Sequence, residues 1–261
     1  MSKPIFVLGS PRSGTSIITK AIKDGVNVKG YAEGHFLPII KPLMQAIADF
    51  YQKNEKIIGK KSRTISHIER NELEEEITKT IRKIHDQVIK HEVWIDKTPG
   101  FSMIEAAPYL LKTWPESRFI FAKRRGIECV ISRLKKFPNV PFETHCKLWT
   151  QAMESWLKVR DSLTGYYLEI EQRDIGLNPQ VVAKAIGELL NIEPEKVKKI
   201  EDIFINERME DTGGKETTQA IKITETGWTD EEIKIFRKHC GKISQKFGYS
   251  ETSDYFLLTK K

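Results

Sequence analysis

Cysteine is scarce in this chain. Its three residues, Cys129, Cys146 and Cys240, are odd in number and widely spaced. With no CxxC pair they supply neither a disulfide framework nor a zinc site, and they read as ordinary thiols. No metal site is expected elsewhere either, because the histidines show no ligand spacing and nothing resembles HExxH. No apolar run approaches membrane-spanning length. Internal repeats, low-complexity tracts, linkers and compositional breaks are also absent, so residues 1–261 are expected to form one domain. The first strand candidate begins within five residues of Met1. That leaves no room for a leader, and the cytoplasm is the expected compartment.

The composition is that of an ordinary globular protein, 39% hydrophobic and 30% charged. The formal charge of +7 and pI near 9.1 suit a polyanion. The lysines, however, are scattered along helical patterns and form no arm or tail, and no basic-aromatic signature of single-strand binding appears. No nucleic-acid partner is therefore expected. A few cations around an anionic ligand account for much of the excess, and nothing in the pattern encodes an oligomeric state.

Short apolar runs at 4–8, 93–96, 118–122 and 166–170 read as strands. Helical patterns lie between them, at 36–54, 66–90, 102–113, 126–136, 142–162 and 179–190. Strands separated by helices imply a parallel sheet flanked by helices, an α/β fold of P-loop type. Ser66 with Glu69 reads as a capping box for the very polar 66–90 helix, which is expected on the outside. Asn178 and Pro179 open the 179–190 helix, and Thr229 with Glu232 caps a last helix running to about Phe247. The stretch 206–227, with "DTGGKETT", shows no periodicity and reads as mobile surface or a lid.

The most informative segment is "IFVLGSPRSGTS", residues 5–16. A buried strand runs into a glycine-rich loop and then a helix, which directs backbone N–H groups and a helix dipole at one anion. Against GxxxxGK[ST], Gly9, Gly14 and Ser16 match, but Thr15 stands where the phosphate-binding lysine belongs. Arg12 is the replacement cation. A second anion site is expected where the strand in "RFIFAKRRGIECVISR", residues 118–133, ends on Lys123, Arg124 and Arg125 beside a helix carrying Ser132. In a doubly wound sheet both sites face one crevice at the carboxyl ends of the strands.

A third strand end, "VWIDKTPG", delivers Asp96 and Lys97 to that crevice. Either Asp96 is a Walker-B-like magnesium ligand, or Lys97 is the functional residue and Asp96 orients the loop. The stretch "AEGHF" adds Glu33 and His35 as proton acceptors. The aromatics Phe36, Trp94, Phe101, Trp149, Trp156 and Trp228 divide between core packing and an apolar acceptor pocket or adenine stack.

Taken together, "GSPRSGTS", "EGHF", "DKTPG" and an Arg followed eight residues later by a Ser resemble the sulfotransferase family that uses 3′-phosphoadenosine 5′-phosphosulfate. The similarity is greatest to bacterial members and to the heparan-sulfate and tyrosylprotein branches, and it covers residues 4–36 and 93–137. It is weaker over "YYLEI…NPQVVAKAIGELL" and "TDEEIKIFRKHCGKISQKFGY". The resemblance implies that Arg12, Ser13, Gly14, Thr15 and Ser16 bind the 5′-phosphosulfate and that Arg124 and Ser132 grip the 3′-phosphate. By the same resemblance Glu33 is the general base and Lys97 contacts the reacting group. The chain departs from the family at "KRRGIE", where many relatives carry an RxPRD-like run. It also lacks the C-terminal RKG-type element of cytosolic relatives, for which Gly213, Gly214 and Lys215 are candidate substitutes.

The residues independently suit sulfuryl transfer to a small-molecule or glycan acceptor, because positioning and cationic side chains suffice for an in-line step. Two other readings stand on the residues alone. One is a P-loop kinase or nucleotide hydrolase with a degenerate loop, Asp96 holding Mg²⁺. The other is a nucleotide- or polyanion-binding protein without turnover, which has no need of Glu33.

Overall fold

Successive residues of a strand face opposite sides of a sheet, and in this chain both sides are apolar. The computed structural model describes residues 2–31, 33–207 and 220–257. In it β1 (Lys3–Gly9), β2 (Val93–Lys97), β3 (Arg118–Lys123) and β4 (Tyr167–Glu171) form a parallel sheet in the order β2-β1-β3-β4. These match the four strands expected from the sequence to within two residues.

One face, carrying Phe6, Leu8, Trp94, Phe119 and Phe121, packs under α4 (Phe101–Thr113), α5 (Gly126–Lys136), α6 (Phe142–Val159) and α10 (Asp230–Lys246). Phe6 meets Trp94 edge-on at 5.5 Å, and Phe121 stacks on Trp156 at 4.3 Å. Each such ring, removed from water, contributes on the order of 1.5–3 kcal/mol. The other face, carrying Ile5, Val7, Ile95, Ile120 and Ala122, packs against α1 (Thr15–Val26), α8 (Pro179–Leu190) and α9 (Pro194–Asn206). Outside these layers lie α2 (Ile40–Lys53), α3 (Arg70–Val88) and the short α7 (Gln172–Leu177). As its composition implies, α3 is peripheral, burying only Ile81 and His85.

Three sequence expectations change. Ser66 caps no helix: it lies in a 3-10 turn, Thr64–His67, its hydroxyl taken by Ile57 O and Gly59 N, and α3 starts at Arg70 without a side-chain cap. The 142–162 helix ends at Val159 and tightens into a 3-10 turn over Arg160–Leu163. Two helices not expected, α7 and α9, follow β4. The capping box of Thr229 and Glu232 forms as read.

Because the chain leaves β1 toward β2 on one side and leaves β3 toward β4 on the other, the connections from the carboxyl ends of these adjacent strands diverge and open a crevice there. No helix among the described residues is long and apolar enough to cross a membrane. The candidates Gly213, Gly214 and Lys215 fall outside the described residues, as does most of the 206–227 stretch.

Candidate active site

The loop after β1 is shaped by two glycines and one strained arginine. A Cβ on Gly9 would stand 2.6 Å from the carbonyl oxygen of its β3 partner Ala122, so only glycine fits the end of the strand. Gly14, in the left-handed region, caps α1, and Arg12 is itself left-handed at φ 77°. For a non-glycine residue that conformation costs about 1 kcal/mol and must be held by its surroundings. Ser13 helps to hold it, its N–H and hydroxyl both donating to Ser10 O at 3.1 and 2.7 Å. The Ser13 hydroxyl is therefore part of the loop's own framework. Thr15 is buried, so what the loop presents to an anion is chiefly backbone N–H at the start of α1.

The ammonium missing from position 15 arrives from the neighbouring strand. Lys97, at the end of β2, places Nζ 3.3 Å from Ser16 Oγ and 2.8 Å from Glu33 Oε1. Glu33 Oε2 meets His35 Nε2 at 2.9 Å. Ser16, Lys97, Glu33 and His35 thus form one line along the mouth of the loop. The hydrogen bond from Lys97 holds the Glu33 carboxyl below its ordinary range, reinforced by His35 and opposed by partial burial.

Asp96 is committed to shaping this line. Its Oδ1 accepts from the Thr98 hydroxyl at 2.9 Å, and Thr98 Oγ1 accepts from the His35 N–H at 3.1 Å. The chain passes so close that a Cβ on Gly34 would lie 2.0 Å from Asp96 Oδ2. Burial pushes the Asp96 carboxyl up. Of the two roles the sequence allowed, the geometry matches orientation of the "EGHF" loop. A further tie, Gly100 N–H donating to Gly9 O at 2.8 Å, joins the β2 loop to the anion loop.

The candidate second anion site is narrower than the run of three cations implies. Arg12 Nε donates to Ser132 Oγ at 3.0 Å, and Arg124 Nη1 donates to Arg12 O at 3.1 Å, bringing Arg12, Arg124 and Ser132 together. Lys123 instead pairs with Glu169 at 2.8 Å. Arg125 is 1% exposed and pairs through two nitrogens with Glu128. Both turn inward because each has a carboxylate within reach, on β4 for one and one helical turn away for the other. Arg124 keeps a buried Nε with no hydrogen-bond partner among the described residues.

The sulfotransferase family profile matches residues 4–196, a span that contains every one of these groups. The chain belongs to the sulfotransferase family. No curated protein matches it in sequence. Among solved structures, the sulfotransferase STF9 from Mycobacterium avium superposes at TM-score 0.56 with 16% identity, covering 94% of this chain and 77% of that one. The sulfotransferase domain from the curacin biosynthetic pathway gives 0.53 and 18%, covering 97% and 99%. That of the Synechococcus PCC 7002 olefin synthase gives 0.54 and 17%, covering 95% and 96%. At such identities these likenesses speak for the fold.

In this sulfotransferase the large aromatics sort cleanly. Trp94, Trp149 and Trp156 are fully buried, and Trp228 packs between Phe142 and Phe236. Phe36 and Phe101, next in sequence to His35 and Gly100, are exposed. The thiols are buried as well. Cys129 donates to Pro11 O behind the anion loop, and burial raises its pKa even with Arg124 nearby. Sequence reasoning missed a buried group beside the second anion site. Glu171, at the end of β4, accepts from Tyr255 and Tyr249 at 2.6 and 2.7 Å, and burial pushes its carboxyl up to about 7.

Proposed function

We propose that this sulfotransferase moves a sulfuryl group from 3′-phosphoadenosine 5′-phosphosulfate to a hydroxyl or amine of a small-molecule or glycan acceptor, residues 1–261 acting as one domain. The line Ser16–Lys97–Glu33 carries the reading, because it sets a cation and then a carboxylate along the mouth of an anion-binding loop. The unpartnered Nε of Arg124 favours a second anion beside it.

The donor supplies the sulfuryl group. Backbone N–H groups of Arg12, Gly14, Thr15 and Ser16 and the Ser16 hydroxyl hold its 5′-phosphosulfate, with Ser13 bracing the loop from within, and Arg124 and Ser132 hold the 3′-phosphate. Lys97 and Arg12 stabilise the charge that builds on the sulfuryl and bridging oxygens as the bond from sulfur to the bridging oxygen breaks and the bond to the acceptor forms. Glu33 takes the acceptor's proton, with His35 orienting it. A carboxylate held down by a lysine is a poor base, and the ion pair resolves this. As the ammonium turns to the anionic oxygens, Glu33 loses that partner and gains basicity where the acceptor enters. Exposed Phe36 and Phe101 offer contact to an apolar part of the acceptor.

Calorimetric titration with adenosine 3′,5′-bisphosphate, against ATP with Mg²⁺, tests the donor. Tight bisphosphate binding is expected, and magnesium-dependent ATP binding without it would overturn the reading in favour of a nucleotide kinase. A radiolabelled donor, screened over alcohols, phenols, amines and glycans and scored by transferred label, then identifies the acceptor.

A further inference from the structure

The peptide that joins Arg124 to Arg125 is gripped at both polar atoms by side chains from other elements. Its carbonyl accepts from Trp149 Nε1 at 3.1 Å, and its N–H donates to the Tyr255 hydroxyl at 3.0 Å. That phenol in turn donates to Glu171. An amide held at both ends cannot rotate, and the Arg124 side chain departs from the residue immediately before it. We propose that Tyr255, far from Arg124 in sequence, is a positioning residue for the 3′-phosphate end of the donor site, acting by fixing the plane from which Arg124 projects.

Three observations support this assignment. Tyr255 has a φ of 68°, a conformation that a bulky residue adopts only when its surroundings impose it. The terminal segment carrying it is held from inside by Arg125. All five N–H donors of that guanidinium are engaged, with both carboxylate oxygens of Glu128 and with the carbonyls of Ser250, Thr252 and Ile221. The Tyr255 ring also lies 4.9 Å from the Arg125 guanidinium and 5.0 Å from that of Arg173. Ring contacts alone would have been served by phenylalanine. The hydroxyl is what reaches the peptide, with Glu171 orienting its proton so that the oxygen accepts from Arg125.

The inference rests on the donor reading above, and the experiment separates the two. Wild type and Tyr255→Phe are titrated calorimetrically with adenosine 3′,5′-bisphosphate and with AMP, which lacks the 3′-phosphate. A wild type that binds no bisphosphate removes the donor reading and this inference with it. If the wild type binds, Tyr255→Phe is expected to weaken the bisphosphate about tenfold, the order of one lost hydrogen bond, while AMP binding stays within about twofold. Unchanged bisphosphate affinity, or equal losses for both ligands, overturns the inference alone, since a merely structural role has no reason to respect the 3′-phosphate. Should the phenylalanine variant not fold, Glu171→Gln keeps the phenol and replaces the carboxyl that orients its proton with an amide. A smaller loss confined to the bisphosphate is then expected, and wild-type affinity for both ligands overturns the inference.

Discussion

The Lys97 ammonium is buried and bonds at 2.8 Å to a Glu33 carboxylate whose side chain is 43% exposed. A cation paired with an accessible carboxylate in the free enzyme gives a pH-dependent signature. With Glu33 as general base, the acid limb of kcat/KM for the free enzyme is expected below the ordinary carboxylate range, because protonation of Glu33 must break its bond to Lys97 and activity falls only as pH drops through the depressed pKa. Lys97→Met is expected to move that limb upward and to lower kcat by about 100-fold or more, as loss of a charge-stabilising donor does. Glu33→Gln is expected to lower kcat by roughly 100- to 10,000-fold with bisphosphate affinity unchanged. Initial-rate kinetics across pH, with calorimetry, read all three. Full turnover in Glu33→Gln would remove the general base.

In the proposed reading Arg124 and Ser132 make the second anchor. Arg124→Ala is expected to weaken adenosine 3′,5′-bisphosphate by roughly 10- to 100-fold, the size of a lost charge-assisted contact, and to leave AMP little changed. Ser132→Ala also frees the Arg12 Nε bonded to it, so some loss should extend to the 5′ end. Equal weakening of both ligands in the Arg124 variant would place the 3′-phosphate elsewhere.

Gly9→Ala tests the shape of the loop. The two atoms nearest the added methyl, both at 2.6 Å, are Ser13 Oγ and the carbonyl oxygen of Ala122, whose strand is paired to β1 and buried on both faces, so the backbone cannot yield cheaply. A loss of about 1–3 kcal/mol in urea unfolding is expected, together with loss of donor binding. Wild-type stability would mean that the β1 and β3 ends separate more easily than their pairing implies.

Glu171 produces a stability effect opposite in sign to that of Glu33, Glu105 and Glu169. Its folded pKa of about 7 exceeds the ordinary 4.5, burial being the main cause. Between those values the folded state keeps a proton that the unfolded state has released. Its contribution therefore falls as pH rises from 4.5 to 7, by about 3 kcal/mol. Glu33, Glu105 and Glu169 are all shifted down, so their contributions are lost only as pH falls below 4.5. Glu171→Gln should therefore gain stability relative to wild type as pH rises through this window, read as the difference in urea midpoints at pH 5 and 8. A difference that does not change with pH would leave Glu171 ionised throughout.

The sheet, the glycine loop and the gathering of Arg12, Arg124 and Ser132 were legible because they depend on local pattern: short apolar runs, glycines at forced turns, and cations at strand ends. What escaped depended on partners distant in sequence. Three adjacent cations look alike in a string, and the fold divides them by whether a carboxylate waits within reach, as Glu169 does for Lys123 and Glu128 for Arg125. Glu128 lies one helical turn from Arg125, and that spacing was the available signal. Ser66 carried a capping pattern, but the turn before α3 claimed its hydroxyl. Pro194 at the start of α9 was a readable helix opening that the polar sequence after it obscured. Tyr255 gave no sign at all, since its role exists only once the end of the chain folds back against β4.

The edge position of β2 has a consequence for how such a chain can diversify. Between His35 and Val93 the backbone makes a single excursion, through α2 and α3, and returns to the outermost strand. Nothing in that excursion supplies the anion loop, the Arg124–Ser132 anchor or Lys97. A different excursion of any length could be exchanged there without re-registering a strand. Under the function proposed above, acceptor choice would then be separable from donor handling, and one scaffold could acquire new chemistry partners by replacing a single contiguous piece.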